Sequence, residues 1–182
     1  MKKRYYIDMD GVIVQYTLAD YLGENPVWLR PNGHYYRNRL PDRKMLAFVD
    51  ELIRICRYTG DEVFILTSLK NDGAIFNEHF HDKIVWLKNW LPAIDIDHII
   101  ISVTEKREAA EYINGQTLTE NDILIDDYNK NLISWQRANG TSIKYLNGIN
   151  TPDSFDGMKL KIENSIWDAM SSIGIDTSLY NG

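Results

Sequence analysis

The sequence predicts an α/β protein: a parallel five-stranded sheet with helices on both faces and a small cap insertion after strand one. Three observations predict it. Short apolar runs alternate with longer amphipathic stretches over most of the 182 residues, which is the order of strands joined by helical crossovers. The strand candidates, such as Val63-Phe64-Ile65-Leu66 and Ile123-Leu124-Ile125, are almost wholly apolar, as strands covered on both faces must be. Polar residues follow the first four strands in turn: Asp8 and Asp10, Thr67 and Ser68, Lys106, then Asp126 and Asp127. In open parallel sheets ligands bind just beyond the carboxyl ends of the strands.

Strand one covers Arg4 to Ile7 and delivers Asp8-Met9-Asp10-Gly11. In extended chain, residues two apart lean to the same side, so Asp8 and Asp10 share one space. Two such carboxylates repel unless a cation or a shared proton relieves them. Mg2+, a hard ion that prefers oxygen, suits the place. From Gln15 to Leu40 the chain has no clean period and carries Pro26, Pro31 and Gly33, which marks the insertion. The domain division is therefore residues 1–14 and 41–182 for the core and 15–40 for the cap. A cap this short leaves the site beneath it fairly open.

Asp42 is placed to cap a helix whose apolar face is Met45, Val49, Leu52, Ile53 and Cys56, and Gly60 is placed to stop it. Strand two is Glu62 to Leu66. A helix from about Asn77 to Leu91 presents Phe80, Ile84, Leu87 and Leu91, and Pro92 ends it. His79 and His81, two apart on that helix, diverge and read as surface residues. Strand three is His98 to Val103, followed by a helix from Glu105 to Ile113. Strand four is Asp122 to Ile125, with a helix from Asn129 to Ala138. Strand five is Ser142 to Leu146. A last helix from Lys159 to Ser171 presents Ile162, Ile166 and Met170.

Taken together, these residues resemble the haloacid dehalogenase (HAD) superfamily. Its four motifs are an Asp-x-Asp after strand one, a Thr or Ser after strand two, a downstream Lys and a later acidic pair. The counterparts are Asp8-Met9-Asp10-Gly11-Val12, Phe64-Ile65-Leu66-Thr67-Ser68, Lys106, and Ile123-Leu124-Ile125-Asp126-Asp127. Thr67-Ser68, Lys83-x-x-Trp86 and Leu124-Ile125-Asp126-Asp127 look like the 5′(3′)-deoxyribonucleotidase branch.

The resemblance implies a Rossmann-like HAD core and a Mg2+-dependent phosphomonoester hydrolase. Asp8 is then the nucleophile and Asp10 the acid and base. Asp8, Asp10 (through its carbonyl), Asp126 and Asp127 hold the metal, with Asp127 in a supporting place. Thr67 and Ser68 bind phosphate oxygens, and Lys106 neutralises Asp8 and phosphate. Lys106 lies about twenty positions before Asp126, farther than in close relatives, which leaves Arg107 or Lys70 as alternatives for the same role. The substrate expected is a small phosphorylated molecule, most naturally a 5′-nucleotide, which Trp28, Tyr36 and Arg39 of the insertion would contact by stacking and charge. The other readings are a phosphatase of another small metabolite, such as a sugar phosphate, and a non-catalytic phosphate-binding protein on the same scaffold.

Composition sets the outer limits. A net charge of −6 argues against binding a nucleic-acid polymer, which needs a basic footprint. The 44% hydrophobic content can build a core. The single cysteine, Cys56, excludes an internal disulfide and fits a reducing compartment. No run approaches the roughly 18 apolar residues of a membrane span. A cytoplasmic protein without membrane contact is the expectation, and the oligomeric state is left open.

Overall fold

The computed structural model describes residues 2–16, 34–71, 73–149 and 155–178, apart from the side chain of residue 74. Most of the expected insertion, with Trp28, lies outside the described residues. Eleven elements position the site. They are β1 (Arg4–Ile7), α1 (Arg43–Thr59), β2 (Glu62–Ser68), α2 (Gly73–Trp90), β3 (Ile99–Ser102), α3 (Lys106–Asn114), β4 (Asp122–Asp126), α4 (Asn129–Arg137), β5 (Thr141–Tyr145), β6 (Met158–Leu160) and α5 (Ile166–Ser172). The eleven are counted among the described residues and leave out two short 3-10 turns, Tyr36–Asn38 and Ile96–His98.

The sheet has six strands in the order β3-β2-β1-β4-β5-β6, and every neighbouring pair is parallel. The expected number was five. The sixth, Met158–Leu160, pairs with β5 at the sheet edge and takes the start of what the sequence predicts as a helix from Lys159. Ile162 is buried in the link that follows, and α5 begins only at Ile166, where Ser165 Oγ accepts from the Trp167 N–H. Three residues at an edge carry too little alternation to reveal a strand, and while Ile166 and Met170 do share α5, Ile162 precedes the helix and only extends its spacing by coincidence.

Alternate residues of the central strands face opposite cores. Ile7, Ile65 and Ile125 pack with Phe48 and Leu52 of α1 and Met170 of α5. Tyr6, Phe64 and Leu124 pack with Ala110 of α3 and Leu132 and Trp135 of α4. This is the reason for the apolar runs: both faces of each strand are covered. Helix α1 starts where Asp42 accepts from the N–H groups of Lys44 and Met45, and it stops at Gly60, in the left-handed region.

Helix α2 departs from expectation. It begins at Gly73 rather than Asn77. Its buried face carries His79, Asp82, Lys83, Trp86 and Leu87, while Phe80 is 41% exposed. His79 is therefore a buried residue, not a surface one. The helix has turned a polar stripe inward, because the groups it meets there are an acid, a hydroxyl and the end of the insertion.

The two ends of the expected insertion meet. Val14 and Pro41 form an antiparallel bridge, and the Gln15 N–H donates to the Leu40 carbonyl at 2.9 Å.

Candidate active site

Strand register brings the acids together. Ile7 lies opposite Ile125 on one side and Ile65 on the other, so Asp8 and Asp126 end their strands at one level with Thr67 close by. The Asp8 N–H donates to the Ile125 carbonyl at 2.9 Å, which carries the pairing one step past the strand. Gly11, with φ of +81°, turns the chain after Asp10. The geometry leaves no room for a side chain at that glycine: a Cβ would lie 2.4 Å from Asp127 Oδ2.

Two buried ammonium groups divide the carboxylates. Lys106 Nζ, at the first turn of α3, lies 2.6 Å from Asp8 Oδ1 and 2.7 Å from Asp126 Oδ2. Lys83 Nζ, from α2, bonds Asp10 Oδ2 and also donates to Thr67 Oγ1 at 2.6 Å. Thr67 Oγ1 in turn donates to Asp10 Oδ2 at 3.3 Å. Asp10 Oδ1 is buried and has no hydrogen-bond partner among the described residues. One oxygen of Asp10 is thus fixed and the other is unengaged.

The acidic pair of β4 is held from behind. Asp126 Oδ1 accepts from the Tyr128 N–H at 2.7 Å, and Oδ2 accepts from Asn131 Nδ2 at 2.9 Å. Asn147, in the loop after β5, donates from Nδ2 to Asp127 Oδ2 at 2.7 Å and to the Gly11 carbonyl at 2.9 Å. It ties the acid to the turn that carries Asp10.

Burial sets the electrostatics. It pushes Asp8 up to about 7; Lys106 pulls the other way, and Asp126 and Asp10 add to the rise. Asp127 is held well above the carboxylate range by burial, then by Asp126 and Asp8. Burial works against the Lys106 ammonium, but Asp126 and Asp8 outweigh it and leave its pKa raised. Lys83 is lowered by burial, with Asp10 opposing. The site is enclosed rather than open: Asp8, Thr67, Lys83, Lys106, Asp126 and Asp127 are all at most 5% exposed.

Carboxylate oxygens of Asp8, Asp126 and Asp127 lie within 4.8 Å of one another. Three buried oxygen donors, two of them already resisting ionisation, form a set that a hard dication relieves. These residues fit Mg2+.

The other expected residues are placed as follows. Ser68 is exposed at the end of β2. Tyr36 is buried, with its ring centre 4.3 Å from Lys83 Nζ and its edge or face against His79 and Tyr35 at 5.0 Å. Burial, then Asp10, holds its phenol well above its ordinary value. Arg39 stacks 4.1 Å over Tyr35, and its carbonyl accepts from Trp86 Nε1 at 2.8 Å. Trp28 is outside the described residues. Arg107 pairs with Glu111 and Lys70 is exposed, so Lys106 is the basic residue of the three that reaches Asp8.

Two residues without an assigned role in the sequence reading join the site. Lys83 lies within the Lys83-x-x-Trp86 pattern, and a lysine three positions before a buried tryptophan on one helix face was the available signal. Asn147 had none beyond following a strand.

The fold is HAD-like. A Mesorhizobium loti protein provisionally assigned as a HAD-like phosphatase superposes with a TM-score of 0.58 at 12% identity, covering 94% of this chain and 86% of that one. A hydrolase from Pseudomonas syringae gives a TM-score of 0.48 at 15% identity, over 76% of this chain and 63% of that one. No family model matches the sequence, and neither does any curated protein. Among the described residues, no helix is long and apolar enough to cross a membrane.

Proposed function

We propose that the protein is a Mg2+-dependent phosphomonoester hydrolase that works through an aspartyl-phosphate on Asp8, with (deoxy)ribonucleoside 5′-monophosphates as its substrates. The observation that carries the reading is the divided state of Asp10. Lys83 and Thr67 hold Oδ2, while Oδ1 is buried and unbonded beside Asp8. A solvated turn would not bury an unpartnered carboxylate oxygen, because that costs about 1–3 kcal/mol. An acid that must give up and take back a proton needs such an oxygen.

In the first step an Asp8 oxygen attacks phosphorus and the bond to the ester oxygen breaks. Protonated Asp10 gives its proton to that leaving oxygen. In the second step water attacks the acyl-phosphate, Asp10 takes the water proton, and inorganic phosphate leaves with Asp8 restored. Lys106 grips Asp8 and orients it, and Lys83 holds Asp10 in place. Asp8, Asp126 and Asp127 would hold Mg2+, which shields the anionic nucleophile from the anionic phosphate when bound.

The nucleotide preference rests on the insertion. Its return carries Tyr35, Tyr36 and Arg39 to the Asp10 and Lys83 side, where the leaving group departs. The part-buried Arg39 guanidinium there suits the sugar or phosphate of a nucleotide, while Tyr35 and Tyr36 are buried behind it and pack the insertion's return rather than face a base. The test is a panel of nucleoside monophosphates and sugar phosphates with added Mg2+, run beside beryllofluoride binding in wild type and Asp8→Asn. Turnover of nucleotides over sugars, with beryllofluoride lost in Asp8→Asn, is expected. Turnover led by a sugar phosphate would move the substrate class, and beryllofluoride retained in Asp8→Asn would overturn the nucleophile.

A further inference from the structure

One residue before Lys83, at Asp82, α2 takes part in a second cluster. Glu78 and Asp82 are four apart on the helix, so they lie on one face. His34, where the chain returns from the insertion, packs onto them. Its Nδ1 is 2.9 Å from Asp82 Oδ1, and its N–H donates to Glu78 Oε1 at 3.0 Å. One donor atom from each of His34, Glu78 and Asp82 lies within 4.8 Å of the others. None of the three belongs to the acid cluster of Asp8, Asp126 and Asp127.

We propose that His34, Glu78 and Asp82 form a site for a first-row transition-metal dication, of the Zn2+, Co2+ or Mn2+ kind, which clips the end of the insertion onto α2. An imidazole with two carboxylates selects such ions over Mg2+ and Ca2+.

A separate observation points to a missing cation. Asp82 is fully buried, yet among the described residues its Oδ2 has no hydrogen-bond partner. His34 and Arg37 both address Oδ1, the guanidinium at 3.2 Å. Burying a carboxylate with one oxygen unengaged is costly, and an ion beside it would remove that cost. Zinc holds its ligands at about 2.0–2.2 Å, which spaces donor atoms by about 3.3 Å. Closing the cluster to that spacing asks for a turn of the long Glu78 side chain. The imidazole is half exposed, so an ion can enter from solvent. Arg37 competes for Asp82 and would have to swing outward.

That competition supplies the test. Zn2+ or Co2+ is titrated into the Mg2+-saturated full chain, for wild type, His34→Gly and Arg37→Gln. Glycine accepts the positive φ of 68° at position 34, so the fold is retained and the catalytic acids are untouched. Wild type should bind one ion that His34→Gly binds at least tenfold more weakly, and Arg37→Gln should bind it more tightly than wild type. Identical isotherms for wild type and His34→Gly would overturn the proposal. So would an Arg37→Gln variant whose melting temperature falls while its isotherm stays that of wild type, since Arg37 and His34 would then be an ion-pair anchor alone. The outcome is independent of the phosphatase reading.

Discussion

The buried Lys83 and the partly exposed Asp10 meet in an ion pair although 73 positions separate them in the sequence. The pair joins α2 to the turn after β1 and fixes which Asp10 oxygen stays unengaged. Tyr36 covers the ammonium from the insertion side. One lysine therefore connects the acid, the strand-two threonine and Tyr36.

Replacing Lys83 with Met should lower kcat for a phosphomonoester about 10²-fold or more, the usual worth of a positioned acid and base, with little change in KM. The Asp10 side chain is 18% exposed, so water can take over part of the ammonium's role and the variant should fold. Steady-state kinetics with Mg2+, checked against a melting curve, measures both. Unchanged kcat with lowered stability would make Lys83 a structural anchor only.

Asp127→Asn separates charge from shape. Burial, Asp126 and Asp8 all resist ionisation of Asp127, so a neutral isostere should raise the melting temperature of the metal-free protein. The same change removes one of the donors that fit Mg2+. Wild type should gain stability with added Mg2+, about 2.7 kcal/mol at a hundredfold excess over Kd, and the variant should gain much less. Equal Mg2+ shifts in the two proteins would remove Asp127 from the metal set.

The reach of the sequence follows from what periodicity records. Asp8 and Asp10 are legible because a strand places alternate residues on one side, and the acids after β4 are legible because the same strand register repeats. Gly60 and Asp42 declare the ends of α1 by local chemistry alone. Lys83 and His79 were hidden, because reading helices by apolar spacing assigns charged and polar residues to the solvent face. The buried face of α2 was chosen instead by partners far along the chain, Asp10 and Thr67 for Lys83 and Tyr36 for His79. Strand β6 was hidden by its length. Lys106 is the first choice of the sequence, with Arg107 and Lys70 as alternatives, but only the helix phase at the start of α3 shows that Lys106 turns inward to Asp8 while Arg107 turns to Glu111.

Cys56 gives a pH-dependent signal remote from the site. Burial, then Asp61, pushes its thiol up to about 12 from an ordinary 9. A thiol harder to ionise in the fold than in the unfolded chain adds stability that is fully present below pH 9 and lost as pH rises from there toward 12. Each unit is worth about 1.4 kcal/mol. Wild type should lose more stability than Cys56→Ala between pH 9 and 11, by up to about 2–3 kcal/mol, in urea melts. At pH 8 the native thiol should react with a disulfide reagent only after denaturant is added. Rapid labelling of the folded protein would contradict the burial.

Gly11→Ala attacks the site through the backbone. The residue sits at φ of +81°, where an alanine is strained by about 1–2 kcal/mol. Its new methyl would also lie 2.4 Å from Asp127 Oδ2, the oxygen that Asn147 holds against the Gly11 carbonyl. The turn cannot yield without moving Asp10, and Asp127 cannot yield without breaking from Asn147. The variant should therefore lose roughly 2–4 kcal/mol of stability and, where it still folds, bind Mg2+ more weakly. Asn147→Ala separates the two effects: it frees Asp127 without straining the turn, so it should weaken Mg2+ binding with a smaller loss of stability. Calorimetric titration and urea melts of both variants measure this, and wild-type Mg2+ affinity in both would show that the Gly11 turn does not position Asp127.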